Sequence, residues 1–273
     1  MRNRFSRQGK CCAVWLLFLA AFCANGRLLA AEVSAVTRQR VHPVVIRNDQ
    51  NALLSLTVTC QKPFVLMNSI TVSLAGSDDL DDVESLQFFF ASQGGGLDRT
   101  IAYGDRLAAA KTITFRGHAR LKAGANVFWL SCRLRNNASL VHKVDAACTS
   151  VGTSVGPIVP SDGSPKVRKR IGLALRRHFD DGVHTYRIPA LATTTEGTLL
   201  CVYDMRRRRS KDLQEDIDIG LVRSTDGGNT WEAQRVIMDM GTYGGHPQEI
   251  NGVSDPGIIV DPASGEIFCF GVW

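Results

Sequence analysis

Apolar and polar positions alternate along much of the chain between residues 32 and 150. In residues 54–60 every second side chain is apolar, and polar serine or threonine side chains stand between them. The same period of two, or a short apolar run, returns in residues 70–74, 86–90, 112–115 and 127–134. One-sided alternation with short spacers is typical of a two-sheet antiparallel sandwich, because each strand has one wet and one dry face. The pattern therefore predicts a β-sandwich over residues 32–150.

A change of composition follows this region. Residues 151–165 are rich in glycine and proline, and residues 166–170 form a basic run. Proline blocks the hydrogen bonds of a strand ladder and glycine weakens ordered alternatives, so residues 151–170 are predicted to be a solvated linker.

Strand patterns resume after residue 171 with a different rhythm. The candidates are residues 173–175, 186–191, 199–203, 217–223 and 235–237, and then 257–260 and 267–272. Four strands within about 55 residues, followed by a new set, are typical of β-propeller blades. The predicted fold class is all-β, with a sandwich followed by the first blades of a propeller over residues 171–273.

The first 31 residues have the pattern of a secretory signal peptide. Four basic residues in positions 1–10 precede an apolar run over residues 11–24 and small residues at Ala30 and Ala31. The run is short for a membrane-spanning helix, which needs about 20 apolar residues; an uncleaved anchor is the alternative. We therefore expect export to the periplasm, the cell surface or the medium.

Charge argues against a nucleic-acid partner. The net charge is +6, from 32 lysines and arginines and 26 acidic residues, but five of these bases and no acids lie in residues 1–31. The rest of the chain carries 27 bases and 26 acids, which leaves no large basic field for a polyanion.

Metal and cysteine chemistry have little support in the sequence. The six histidines form no metal-like pair and no CxxC motif occurs, so no metal site is expected. Cys132 and Cys201 lie in apolar runs typical of core residues. A disulfide between two of Cys60, Cys132 and Cys148 is the alternative for an exported protein.

The octapeptide at residues 224–231 matches the Asp-box pattern S-x-D-x-G-x-T-W at every fixed position. Its members are Ser224, Asp226, Gly228, Thr230 and Trp231. An aspartate can accept hydrogen bonds from nearby amides, and glycine permits the backbone angles of a tight turn. By itself the box predicts a hairpin of a propeller blade and no particular activity.

A second motif, Tyr186-Arg187-Ile188-Pro189, begins the strand candidate at residues 186–191. Arg187 precedes the Asp box by 37 residues, since 224 − 187 = 37. In a β-rich chain with an export signal, the two motifs together resemble bacterial sialidases (neuraminidases with BNR repeats) over about residues 171–273. The predicted sandwich is similar, more loosely, to an accessory domain of some of these enzymes.

The resemblance implies roles for four residues. Arg187 corresponds to an arginine that clamps the carboxylate of sialic acid, a task that suits a planar, permanently charged guanidinium. Asp212, which follows it by 25 residues, corresponds to the general acid/base. Arg206 corresponds to a pocket arginine near the C4 hydroxyl of the sugar, and Asp255 to an aspartate that lines the pocket.

Other carboxyls near Asp212 are rival candidates for the acid/base. We expect them to be solvated loop charges, with Asp218 facing outward from a strand because it alternates with isoleucines, and we expect most of the arginine run 206–209 to be solvated. The rivals are Asp204, Glu215, Asp216 and Asp218.

The implied activity is exo-α-sialidase action on glycoproteins, glycolipids such as gangliosides, and oligosaccharides. It would proceed with retention through a tyrosine nucleophile and without a cofactor, with membrane contact only through glycolipid substrates or surface association. The family propeller has six blades and its tyrosine, glutamate and two further arginines lie in later blades, so we expect these 273 residues alone to be inactive and poorly soluble. A trans-sialidase and a non-catalytic carbohydrate-binding or adhesive protein are the alternatives.

Overall fold

The computed structural model describes residues 32–91, 97, 100–164 and 166–273. The predicted signal peptide lies outside these residues. Within them the protein is built from strands and three short 3-10 turns, and no helix there is long and apolar enough to cross a membrane. The all-β prediction is confirmed.

The first thirteen strands form a sandwich. They are β1 (Val33–Arg38), β2 (Val44–Ile46), β3 (Asn51–Cys60), β4 (Val65–Ser73), β5 (Val83–Ala91), β6 (Thr100–Leu107), β7 (Thr112–Leu121), β8 (Gly124–Leu134), β9 (Lys143–Val144), β10 (Ala147–Thr153), β11 (Gly156–Ile158), β12 (Ser161–Asp162) and β13 (Lys169–Leu173). A six-stranded sheet has the order β12-β1-β3-β8-β5-β6, a four-stranded sheet the order β11-β10-β4-β7, and a small sheet the order β2-β13-β9.

The core of the sandwich lies between the two larger sheets. Phe88 of β5 and Phe115 of β7 are fully buried, and their rings meet edge to face with centroids 5.0 Å apart. Burial alternates along β7, as the sequence pattern predicts. Cys132 and Cys148 lie in this core, and the pKa of both thiols is raised to about 12 by burial. None of the five cysteines among the described residues forms a disulfide.

The predicted linker contains strands that pair with the sandwich. β11 forms a hairpin with β10, β12 pairs in parallel with β1, and β13 pairs in parallel with β2. β11 is an edge strand, where a proline such as Pro157 is tolerated. The basic run is also less solvated than expected, since Lys169 is only 2% exposed and donates to the Arg40 carbonyl over 2.6 Å. The domain limits at residues 150 and 170 stay a prediction.

The remaining strands form a four-stranded sheet and a hairpin. The sheet is a sequential antiparallel meander, as in a propeller blade, of β14 (Thr185–Thr193), β15 (Leu199–Arg206), β16 (Ile217–Ser224) and β17 (Arg235–Met238). The hairpin consists of β18 (Ser254–Val260) and β19 (Ile267–Val272).

Both faces of β15 and β16 are covered. One face buries Tyr203, Met205 and Val222, and the other buries Val202 and Ile219 against residues of the hairpin and the segment that precedes it. Because no face of these strands is wet, alternation along them does not separate inward from outward positions.

The Asp box forms the turn between β16 and β17. Asp226 accepts hydrogen bonds from the Thr230 hydroxyl (2.6 Å), the Thr230 amide (2.9 Å) and the Ser224 hydroxyl (2.8 Å). Gly228 has a φ of 94°, and the Trp231 indole donates to its carbonyl over 2.9 Å. These hydrogen bonds hold the turn between β16 and β17 together.

We expect Asp226→Ala to lower the thermal midpoint at pH 7 and to change the acid sensitivity of the fold. The hydrogen bonds, first that from the Thr230 hydroxyl, lower the pKa of Asp226 to about 2. A carboxyl with a depressed folded-state pKa stabilises the fold above its unfolded value of 3.8 and loses that effect as the pH falls toward 2. Thermal unfolding across this window should therefore show a shallower loss of stability in the variant. The control is Glu196→Ala, which removes an exposed carboxylate in the β14–β15 turn. The same pH dependence of the thermal midpoint in both variants would contradict the expectation.

Candidate active site

The motif arginine and the loop aspartate meet at one end of the blade. Arg187 lies opposite Asp204 in the β14–β15 ladder, immediately before a bulge at Ile188 and Pro189. Its Nη1 atom lies 3.2 Å from Oδ1 of Asp212 and 3.4 Å from the Ser210 carbonyl. Both side chains are accessible, with 43% of Arg187 and 75% of Asp212 exposed. The structure therefore brings together the guanidinium and the carboxyl on which the sequence hypothesis depends.

A buried ion pair, formed by Arg206 and Asp204, lies next to this contact. Arg206 donates to Oδ2 of Asp204 from Nε (3.2 Å) and from Nη2 (2.9 Å). Its Nη1 atom donates to Oδ1 of Asp212 over 2.5 Å and to the Ser210 carbonyl over 2.9 Å. The side chains of Arg206 and Asp204 are 1% and 0% exposed. Arg206 thus holds Asp212 here, and direct contact of Arg206 with a sugar stays a prediction.

Asp255 joins the same group through its backbone. Its amide donates to Oδ1 of Asp204 over 2.9 Å, and its φ of 54° lies in the left-handed region, which is rare for a residue with a side chain. The side chain is exposed. Asp204 is therefore bonded to Arg206 on one oxygen and to the Asp255 backbone on the other.

Sequence reasoning treated Asp204 only as a rival acid. A signal for its position was present, because residues i and i+2 of a strand point to the same face and Asp204 and Arg206 have that spacing. What alternation could not show is that this end of β15 is covered.

The electrostatics of the site depend on these pairs. The hydrogen bond from Arg206, and then its charge and that of Arg187, lower the pKa of Asp212. Burial raises the pKa of Asp204, against the opposing effect of Arg206. In the free protein at neutral pH, Asp212 is accordingly a carboxylate shared by two guanidinium groups.

Three of the four rival carboxyls are not solvated loop charges, so the prediction for them was wrong. Asp204 is the fully buried residue of β15 described above. Glu215 is 2% exposed and accepts from Nε of Arg209 over 2.7 Å and from Nη2 of Arg208 over 3.3 Å. Asp218, predicted to face outward, is 2% exposed and accepts from Nε of Arg207 over 2.7 Å. Each residue of the arginine run therefore neutralises a carboxylate, which is what allows these carboxylates to be buried.

The tyrosines beside the site do not suit the role of nucleophile. Burial raises the pKa of Tyr186, and it raises that of Tyr203 to about 12. The Tyr203 hydroxyl is held by Nε of Arg176 at 2.8 Å. A cavity of about 260 Å³ lies between these tyrosines and Arg187, and Asp212 does not line it. No group of three metal-ligating side chains occurs in the part of the chain that the structure describes.

Comparison with known proteins identifies relatives for both halves of the chain. Residues 32–156 match the family model for the N-terminal domain of BNR-repeat neuraminidase. A sialidase of Bacteroides fragilis is 32% identical over 292 aligned residues, which cover 96% of this chain and 53% of that protein. A sialidase of Micromonospora viridifaciens is 38% identical over 133 residues, covering 47% of this chain and 19% of that protein.

The same similarity holds in three dimensions. The solved structure of the Hadza microbial sialidase Hz136 superposes with a TM-score of 0.73 at 28% sequence identity, over 86% of this chain and 50% of that one. The chain spans about half the length of the Bacteroides fragilis sialidase, 53%, and of the Hz136 structure.

Proposed function

Residues 32–156 match the family model for the N-terminal domain of BNR-repeat neuraminidase, and from this similarity we propose that the protein is an exo-α-sialidase. It would hydrolyse terminal sialic acids of glycoproteins, glycolipids and oligosaccharides with retention of configuration. The observation that carries the proposal is the 3.2 Å contact between Arg187 and Asp212, an anion-binding group beside a proton-transfer group.

The substrate's own carboxylate explains why these two groups are adjacent. A sialoside brings a carboxylate to Arg187, which can accept it in a forked hydrogen bond. The arriving carboxylate competes with Asp212 for the guanidinium and adds a negative charge near it. Both effects raise the pKa of Asp212, because a like charge and the loss of a counter-charge disfavour the ionised form.

Asp212 would then act as the general acid. Once protonated, it donates its proton to the leaving glycosidic oxygen as the bond to the sialic acid breaks, and it later removes a proton from the attacking water. In this scheme the acid forms only when an anionic sugar is in place. Arg206, held by Asp204, keeps the carboxyl of Asp212 within reach of the clamp.

The test of the proposal is release of sialic acid by the protein as its complete gene encodes it, compared with the Arg187→Lys variant. Lysine keeps the charge but not the planar fork. Since a hydrogen bond between charged groups contributes about 1.5–3 kcal/mol, kcat/KM for sialyllactose should fall roughly ten- to a hundredfold. The control is Arg235→Lys on β17 of the same sheet.

Several outcomes would count against the proposal. One is the absence of sialic acid release by the parent protein. Another is an equal loss of kcat/KM in Arg187→Lys and Arg235→Lys. Transfer of the sugar to lactose in place of hydrolysis would make the protein a trans-sialidase.

The same proposal includes location and partners. The pattern of residues 1–31, outside the described part of the chain, supports export, where sialylated glycans are encountered. The near-neutral remainder of the chain supports glycans over nucleic acids as partners.

A further inference from the structure

The segment between β15 and β16 carries Asp212 but has little apolar or backbone support of its own. We call residues 208–215 of this segment the Asp212 loop. Leu213 is its one apolar residue and is partly exposed. In the described structure, residues 208–215 take part in no hydrogen bond between two backbone groups, since the ladder ends where the Arg207 amide donates to the Asp216 carbonyl over 3.1 Å. Ordering such a loop costs conformational entropy, so side-chain contacts must hold it.

One buried carboxylate of the Asp212 loop has three cationic partners from the same loop. Glu215 is 2% exposed, whereas the other residues of the loop are partly or fully exposed. Its carboxylate accepts from Nε (2.7 Å) and Nη2 of Arg209 and from Nη2 of Arg208 over 3.3 Å. Nζ of Lys211 lies 3.6 Å from Oε1 of the same carboxylate. The hydrogen bond from Arg209 is the largest effect that lowers the pKa of Glu215, which is therefore ionised at neutral pH.

These ion pairs join the two limbs of the loop on either side of Asp212. The three cations precede Asp212 in the chain and Glu215 follows it, so the buried carboxylate closes the loop across its base. Asp212 itself is 75% exposed and is held only at its tip, by Arg206 and Arg187. Without the charge of Glu215, the three cations within residues 208–211 would repel one another. The loop would then lose the one buried group that keeps it closed.

The same carboxylate is linked to the segment that leads into β18. Nη2 of Arg208 also donates to the carbonyl of Glu249, which lies in the short 3-10 turn ahead of that strand. A Cβ at Gly252 would come within 2.3 Å of the Glu215 carbonyl oxygen, so this segment packs directly on the backbone of Glu215. The Asp212 loop is therefore held both by its own cations and by the neighbouring chain.

We propose that Glu215 is a positioning residue: its buried carboxylate gathers the cations of the Asp212 loop and thereby fixes where the carboxyl of Asp212 stands. It acts through the loop, because both of its oxygens are engaged by cations of that loop and are buried. A buried carboxylate with several cationic partners is a rigid anchor, since moving it would leave a charge unpaired away from water. The role of Asp212 as the acid rests on the proposed function, whereas the hold of Glu215 on the loop rests on these contacts alone.

The kinetic test compares Glu215→Gln with Asp218→Asn in the protein encoded by the complete gene. Glutamine keeps the shape of Glu215 and removes its charge. The control removes the charge of an equally buried carboxylate, 2% exposed, whose partner Arg207 lies outside the Asp212 loop. The measurement is kcat/KM for sialyllactose, whose leaving group needs protonation, and for a nitrophenyl sialoside, whose leaving group does not.

We expect Glu215→Gln to lose roughly ten- to a hundredfold on sialyllactose, because a reacting group displaced by about 1 Å loses activity on this scale. The loss on the nitrophenyl sialoside should be at most about threefold, and Asp218→Asn should stay within about twofold on both substrates. In an Asp212→Ala background, Glu215→Gln should cost no more than about twofold further, because residues that act as a unit are not additive. Equal losses on the two substrates, or a full further loss in the Asp212→Ala background, would overturn the proposal.

Limited proteolysis separates this inference from the proposed function, because it requires no enzymatic activity. Trypsin can cut after Arg208, Arg209 or Lys211 only when the Asp212 loop opens. Cleavage at these sites should be severalfold faster in Glu215→Gln than in the parent, and unchanged in Asp218→Asn. Equal cleavage in the parent and Glu215→Gln would overturn the proposal. If no protein releases sialic acid but the loop of Glu215→Gln alone is cut faster, the enzyme proposal fails and the hold of Glu215 on the loop stands.

A second variant, Arg209→Gln, keeps the test decisive if Glu215→Gln does not fold. The Arg209 side chain is 63% exposed, so its replacement should leave the fold intact while removing two hydrogen bonds to Glu215. We expect a smaller loss of the same selective kind on sialyllactose, and faster tryptic cleavage after Lys211. Kinetics and cleavage like those of the parent protein would overturn the proposal.

Discussion

Asp212→Ala is expected to reduce the release of sialic acid from natural glycans by about 100- to 10,000-fold, the usual contribution of a positioned general acid. The loss should be far smaller on aryl sialosides with activated leaving groups, because a good leaving group departs without protonation. The measurement is kcat/KM for sialyllactose and for a nitrophenyl sialoside, in the protein encoded by the complete gene.

The matched control is Asp216→Ala. Asp216 lies four residues further along the same segment, and its carboxyl makes no hydrogen bond with Arg187 or Arg206 in the described structure. Equal losses on both substrates in Asp212→Ala, or a larger loss in Asp216→Ala, would assign the proton to another group.

The pH profile of the parent protein supplies a second readout of the same prediction. Arg206 lowers the pKa of Asp212 in the free protein, whereas under the proposed function a bound sialoside is expected to raise it. An essential acid must be protonated, so activity falls as the pH rises through its pKa. The pKa read from kcat, which reports the complex, should therefore be higher than the one read from kcat/KM, which reports the free protein.

Asp204→Ala is expected to destabilise the fold by about 3–5 kcal/mol, the usual cost of removing one partner of a buried ion pair. The substitution leaves the Arg206 guanidinium, 1% exposed, without the oxygen that two of its nitrogens contact. It also removes the acceptor of the Asp255 amide. Urea unfolding of the variant and of Asp239→Ala, an exposed aspartate, measures the difference.

A companion variant keeps this prediction decisive even if Asp204→Ala does not fold. Asp204→Leu with Arg206→Met removes both charges and fills the space with apolar groups, so it should be markedly more stable than Asp204→Ala alone. That protein should nevertheless have poor activity, because Asp212 loses its strongest contact. A cost below about 1 kcal/mol for Asp204→Ala would mean that water reaches Arg206 and that the pair is not structurally important.

The parts of the site that could be predicted are those defined by short-range sequence. The Asp-box turn uses side chains within four positions of Asp226, and the pairing of Arg187 with Asp212 was expected from the resemblance to bacterial sialidases. The parts that could not be predicted involve long-range burial. Whether Asp218 faces water depends on what packs against β16, and Asp204 meets the Asp255 amide across 51 residues of chain.

The predicted linker shows the same distinction. Glycine and proline predict a solvated linker over residues 151–165. They do not indicate that short pieces such as β11 and β12 add to the edges of sheets that earlier residues have built, because an edge strand is stabilised by its neighbour more than by its own composition.

The amino-acid sequence by itself determined the all-β class and the blade hairpin, and its resemblance to bacterial sialidases singled out residues 187 and 212. Period-two burial and turn chemistry depend on residues only a few positions apart, so they can be predicted from the sequence. Only the tertiary structure decided that Asp204 anchors the site and that the arginine run is paired. Those properties depend on which strands become neighbours and on how much water the neighbours exclude.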